Sequence, residues 1–353
     1  MKVKKLFRYR NITRAVLVLA GVYLCLRYAP ECSRGIRNGT LFCVEVLVPS
    51  LYVFMALSAY FTKSGLAVTL TRPFGGVTKA LFGLPPSAAA VILSCAVGGY
   101  PVGARCAAIL YEEGMMSEDE ARKTAYIAVC AGPGFLLNYV GGALLGCQKA
   151  GVVLLIAQIM GMLMTGVIVG KTLPIPIGTH PYIRPNKQDD LLIRSVSDAS
   201  RATLQMCAMV VLCSALIEVV SKLSTDSMLT DIASAVLEIT AGCQRLCGSY
   251  PLYLTAFFIG FGGLSVHLQI YAGLGELRIN KGLFFLFRII QGIITAACAY
   301  ILFMMIPVEV GVFNSAEVPL TAAKSATLAG SSALVFCGLC FIGSLRKLEQ
   351  RQL

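Results

Sequence analysis

The run "AGVVLLIAQIMGMLMTGVIVG", Ala150–Gly170, contains no charged side chain. About 20 consecutive apolar residues is the length a helix needs to cross a hydrocarbon core. Windows of this kind recur along the 353 residues, and they point to an all-α, polytopic membrane protein. A transmembrane β-barrel would show short segments of alternating polarity instead. Composition agrees: 57% of residues are hydrophobic and 14% charged, whereas soluble domains average about a quarter charged.

The net charge of +12 gathers in short flanks beside apolar segments, as in "MKVKKLFRYR" and "LRKLEQRQL" at the two ends. These read as topology anchors that hold loops in the cytoplasm and attract anionic lipid, not as a nucleic-acid surface. The basic start followed by apolar Ala15–Leu26 has the outline of a secretory signal. "RYAPEC" after it offers no small-residue cleavage site, so an uncleaved first anchor is expected. Most of the fourteen cysteines, among them Cys95, Cys106, Cys130, Cys207, Cys213 and Cys298, lie in apolar segments and read as small hydrophobes. The "CGLC" at 337–340 is read the same way, and neither a metal nor a cofactor is expected.

Eight or nine hydrophobic segments are predicted, at about 12–28, 41–61, 87–111, 124–147, 150–170, 201–221, 249–275, 282–306 and 326–344. The pieces 72–85 and 227–246 are too polar or too short to span, and read as interfacial or re-entrant. The predicted organisation is an N-terminal anchor and flank (1–40), a first half (41–170), a proline-bearing linker (171–200), a similar second half (201–345) and a basic tail (346–353). The basic N-terminus and the basic linker both favour the cytoplasm, so an even number of crossings should separate them. Five candidates lie between, so one should fail to cross. An odd number of crossings per half after the first anchor would make the halves inverted repeats, a common transporter plan. The basic C-terminus argues the other way.

Two segments carry helix-breaking glycine pairs with polar neighbours, "AVGGYPVGAR" and "GFGGLSVHLQ". Laying Gly98-Gly99 on Gly262-Gly263 matches Val102 with Val266, Ala108 with Ala272 and Leu110 with Leu274, and sets Gly103 opposite His267 and Arg105 opposite Gln269. Unwound backbone survives at membrane depth only inside protein or beside a wet cavity. The amides freed at a half-helix N-terminus suit an anionic ligand. The predicted substrate site is therefore Gly98, Gly99, Tyr100, Gly103, Arg105, Gly262, Gly263, Ser265, His267 and Gln269, with Asn138 from a third break at "AGPGFLLNYVGG". Glu218, Glu238 and Gln291 are lesser candidates. The glycines of "GGALLG" (141–146) and "GVIVG" (166–170) read as packing positions. Arg105 has a plainer reading as an interfacial ion pair, and His267 as a satisfied interior histidine. Ser117 followed by Glu120 reads as a capping box. The phosphate-loop, zinc-protease and nucleophile-elbow patterns are missing, so transport is favoured over catalysis.

At these same residues the chain resembles the YlbJ-like sporulation integral membrane proteins, within the nucleoside-recognition (Gate) domain family. The resemblance rests on "RPF" (72–74), "GGYPVGAR" (98–105) followed by "LYEEGMMSEDEA", "LEITAG" (237–242) and "GFGGLSVHLQI" (260–270), and runs from about 45 to 300. It implies a protein of the outer forespore membrane that passes dipicolinic acid towards the forespore. It also implies similarity to concentrative nucleoside transporters, whose inverted repeats contain re-entrant hairpins. One departure is that relatives tend to carry polar residues where this chain has Val129, Cys130 and Ala131. The expected partners are a small anionic substrate and membrane lipid, with self-association into a homo-oligomer left open. The alternatives are a nucleoside or nucleobase transporter and a non-transporting sporulation scaffold.

Overall fold

A computed structural model describes residues 2–178, 190–224, 226–306 and 308. The segment expected at 326–344, the "CGLC" within it and the 346–353 tail lie outside the described residues. Among the described residues every regular element is helical. A first helix, α1 (Lys2–Arg27), is followed by α2 (Ala29–Phe42), which passes through a π turn (Cys43–Leu47) into α3 (Val48–Lys63). Short α4 (Leu66–Thr71) and α5 (Gly75–Phe82) lead to α6 (Ser87–Gly98) and α7 (Tyr100–Glu112). Next come α8 (Glu118–Ile127), a π-helical segment (Gly134–Leu144) and α9 (Gln148–Thr172). The rest comprises α10 (Leu191–Leu223), α11 (Ser227–Leu237), α12 (Ile239–Leu246), α13 (Leu252–Phe261), α14 (Gly263–Gly273) and α15 (Lys281–Met305).

Fewer segments are regular spans than the eight or nine expected. Among the described residues four stretches are long and apolar enough to cross a membrane: α9, α10, the α13–α14 pair and α15. Two bent pairs raise this to six, α2 with α3 at 60° and α5 with α6 at 91°. The expected linker is also shorter, because residues 191–200 are already the first turns of α10.

The segment at 87–111 does not run straight through. Thr62 of α3 bonds both to Ser94 of α6 (3.1 Å) and to Cys106 of α7 (3.1 Å). Those two residues flank Gly98-Gly99, so α7 doubles back beside α6 as a hairpin with the glycines at its tip. The amphipathic piece 227–246 is a second hairpin. Asp231 of α11 reaches Arg245 of α12 at 3.2 Å, and a Cβ on Gly242 would stand 2.4 Å from Ala235 Cα. Its tip is Glu238.

Each hairpin is followed by a helix broken at mid-length. The first is α8, unwound over 128–132 before the π segment; the second is α13–α14, broken at Gly262. One continuous apolar core joins both halves, with Leu110, Ile127 and Leu136 from one side and Ile259, Ile270 and Phe284 from the other. Close glycine contacts set the spacing of the long helices. A Cβ on Gly166 would meet Phe82 at 2.9 Å, and one on Gly141 would meet Gly151 Cα at 2.8 Å, so both predicted packing runs do pack tightly. The capping box forms as read, with the Glu120 amide donating to Ser117 Oγ and the Ser117 amide donating to Glu120 Oε2. At the outer end of α8, the buried Lys123 ammonium donates to the carbonyls of Gly83 and Gly170, closing two helix C-termini. Burial pushes this ammonium below its ordinary pKa.

Candidate functional site

Each hairpin tip rests on a helix break. Gly99 adopts φ +90°, which only glycine tolerates readily, and a Cβ there would meet the Gly132 amide nitrogen at 3.2 Å. In the second half a Cβ on Gly263 would meet the Ile239 amide nitrogen at 3.1 Å, directly after the Glu238 tip. The two tip-on-break pairs enclose a cavity of about 40 Å³. Gly98, Gly99, Tyr100, Gly132, Glu238, Thr240 and Gln269 contribute to its wall, against apolar Met55, Met206 and Val210.

The level of the cavity along the bundle follows from α10. At 1.5 Å per residue, Asp198 and Glu218 are about 30 Å apart along this helix, the thickness of a hydrocarbon core. Met206 and Val210, which touch the cavity, fall about 12 and 18 Å from Asp198 on the same scale. The cavity therefore lies at about mid-length of α10, one of the helices long and apolar enough to cross a membrane.

The carbonyls released by the two breaks are closed by side chains. Arg288 of α15 is fully buried; it donates to the Tyr126 carbonyl and, at 2.5 Å, to Gln291 Oε1. Gln291 in turn donates to the Val129 carbonyl at 2.8 Å. At the second break the Ile259 carbonyl accepts from Tyr100 (2.6 Å) and Gln158 (3.3 Å), and His267 Nε2 lies 3.0 Å from the Phe261 carbonyl. The electronegative ends of both broken helices are thus occupied. The first turns of α7 and α12, whose amides carry partial positive charge, border the cavity.

The predicted residues separate into three groups. Gly98, Gly99, Tyr100 and Gln269 meet at the cavity. Gly262, Gly263, Ser265 and His267 are buried behind it at the second break, where His267 and the Tyr100 hydroxyl are spent on helix carbonyls. Gly103, Arg105 and Asn138 lie elsewhere. Gly103 lets α7 press on the unwound chain, since a Cβ there would stand 2.1 Å from the Ala128 carbonyl oxygen. Arg105, with 37% of its side chain exposed, pairs with Glu112 (3.4 Å) and Asp198 (4.0 Å) in a charged cluster that also holds Lys63. Asn138 is exposed.

The glycine register of the two halves is corrected as well. Gly98-Gly99 is a hairpin tip, whereas Gly262-Gly263 is a helix break, so the spatial counterpart of Gly99 is Glu238. The matched valines do play one role: Val102 stands over Gly98 as Val266 stands over Gly262. The sequence reading passed over Gln158 and Arg288. For Arg288 the signal was present, a lone charge inside the apolar 282–306 segment. Gln158, a neutral side chain in the cleanest apolar run, gave little.

No family model and no solved structure matches the chain. It is 24% identical over 315 residues to the sporulation integral membrane protein YlbJ of Bacillus subtilis (strain 168), covering 75% of this chain and 76% of that one. The wider nucleoside-recognition grouping rests on the motifs alone. The chain is thus similar to YlbJ over three-quarters of its length, and like that integral membrane protein it has helices long and apolar enough to cross a membrane.

Proposed function

We propose that the protein carries a small organic anion across a membrane, with dipicolinate the leading substrate, in the sporulation setting that its similarity to YlbJ supports. The observation that carries this reading is the meeting of two hairpin tips and two broken helices around one cavity at mid-length of α10. Transporters of the inverted-repeat kind bind substrate at such a place. Apolar walls suit the pyridine ring, and the half-helix amides suit its two carboxylates. At about 40 Å³ the cavity has room for a few waters and is closed to a pyridine dicarboxylate. Admitting the substrate requires this cavity to widen, and parting of a tip from its break would do so.

Counterflow in liposomes tests the reading. Preloaded dipicolinate should drive uptake of labelled dipicolinate, with picolinate weaker for want of the second carboxylate. Exchange of uridine alone would move the protein to nucleoside transport. Inertness towards all three would leave a membrane scaffold.

A further inference from the structure

A second cavity, of about 120 Å³, lies between α2, α10 and α12 and is lined by polar side chains including Asn38, Glu218, Gln244 and Arg245. Asn38 and Gln244 are exposed, so this vestibule opens towards the surface. Val210, Glu238 and Thr240 border both the vestibule and the central cavity. Anything polar that moves between the two passes the Glu238 carboxyl.

Glu238 is 2% exposed. Its Oε2 accepts from the Ala241 amide at 2.8 Å, and its Oε1 accepts from the Thr240 hydroxyl at 3.0 Å. A hydroxyl both donates and accepts. If a proton binds Oε1, the Thr240 hydroxyl turns and accepts it, and the Ala241 bond is untouched. Both protonation states thus keep two hydrogen bonds, and the carboxyl can change charge without unsealing the tip.

Among the described residues no ion pair reaches that carboxylate. Cys43 of the π turn, Cys213 and Glu218 of α10, Tyr139 of the π segment, and Cys243 and Arg245 of α12 face this region. The cation among them, Arg245, is held by Asp231 of α11 at 3.2 Å and by the Ser221 hydroxyl at 3.1 Å. On α14, His267 is turned to the Phe261 carbonyl.

We propose that Glu238 is the proton-binding residue that couples anion entry to a proton: ionised, its carboxylate repels an anion from the central cavity, and protonated, it admits one. The proton comes from vestibule water onto Oε1 and returns to water when the anion leaves. This inference rests on the anion-transport reading and adds its coupling.

The test is dipicolinate binding to purified protein in weakly buffered solution with a pH indicator. The wild type should take up a proton for each anion bound, and its affinity should fall by about tenfold per pH unit once Glu238 is ionised. Glu238→Gln mimics the protonated form and keeps an acceptor for the Ala241 amide. It should bind without proton uptake, and its affinity should be flat with pH. In liposomes it should still exchange dipicolinate but fail to accumulate it down a proton gradient. Binding by the wild type without proton uptake overturns the coupling and leaves the transport reading standing, and this result needs no variant to fold. Persistent proton uptake by a folded Glu238→Gln overturns it too. Failure of the wild type to bind or exchange dipicolinate at any pH overturns both.

Discussion

The two hairpin tips perform the same task with opposite chemistry. At the first, the tip supplies the glycine: Gly99 at φ +90° brings backbone against backbone at Gly132. At the second, Glu238 is extended, with φ −147°, and the glycines belong to the broken helix, Gly262 at φ +88° and Gly263 at φ +69°. A close approach needs one side without a Cβ, and either partner can provide it. A search for paired glycines therefore matches a tip with a break, and hides the match between Gly99 and Glu238.

The two breaks differ in how their carbonyls are closed, and this gives the largest expected effect. At the first break a buried guanidinium does the work. Arg288→Leu leaves the Tyr126 carbonyl and the Gln291 amide oxygen without this donor, and should cost about 1–3 kcal/mol for each buried acceptor. At the second break Gln158→Leu leaves the Tyr100 hydroxyl still donating to Ile259, and should cost about 0.5–1.5 kcal/mol. Thermal unfolding in detergent ranks them, and equal losses would mean that the breaks are not held differently.

A sharper comparison uses Gly99→Ala and Gly262→Ala. Both positions have φ near +90°, but Gly99 has ψ −174°, a region essentially closed to other residues, while Gly262 has ψ −8° in the left-handed region, so alanine should cost more stability at Gly99 than the roughly 1–2 kcal/mol expected at Gly262. Only Gly99 borders the central cavity. Dipicolinate binding should weaken in Gly99→Ala and persist in Gly262→Ala, and equal binding by two folded variants would detach the first tip from the site.

The smallest effect is expected at Arg105. An interior substrate arginine, as the sequence suggested, would make Arg105→Ala nearly abolish binding. The half-exposed ion pairs with Glu112 and Asp198 predict otherwise. Such pairs contribute about 1 kcal/mol or less, so stability should change little and dipicolinate affinity should hold. A large loss of affinity at unchanged stability would return Arg105 to the substrate path.

Apolar run length determined the helical membrane fold, because an unbroken apolar run of about 20 residues satisfies its backbone in lipid as a helix, whereas barrel strands are shorter and alternate in polarity. Glycine pairs among apolar residues placed the irregular points within a residue or two, since a helix there loses both entropy and side-chain packing. What a one-dimensional pattern could not carry was direction. A broken helix that continues and one that doubles back share the same letters, and only Thr62 touching both Ser94 and Cys106 separates them. The fate of polar side chains was decided in the same way. Tyr100 and His267 stand beside glycines in the sequence, yet they donate to or contact helix carbonyls, because a break buries orphaned acceptors that the nearest polar group must meet. Glu238 reached the centre because α11 and α12 fold against each other and carry it there.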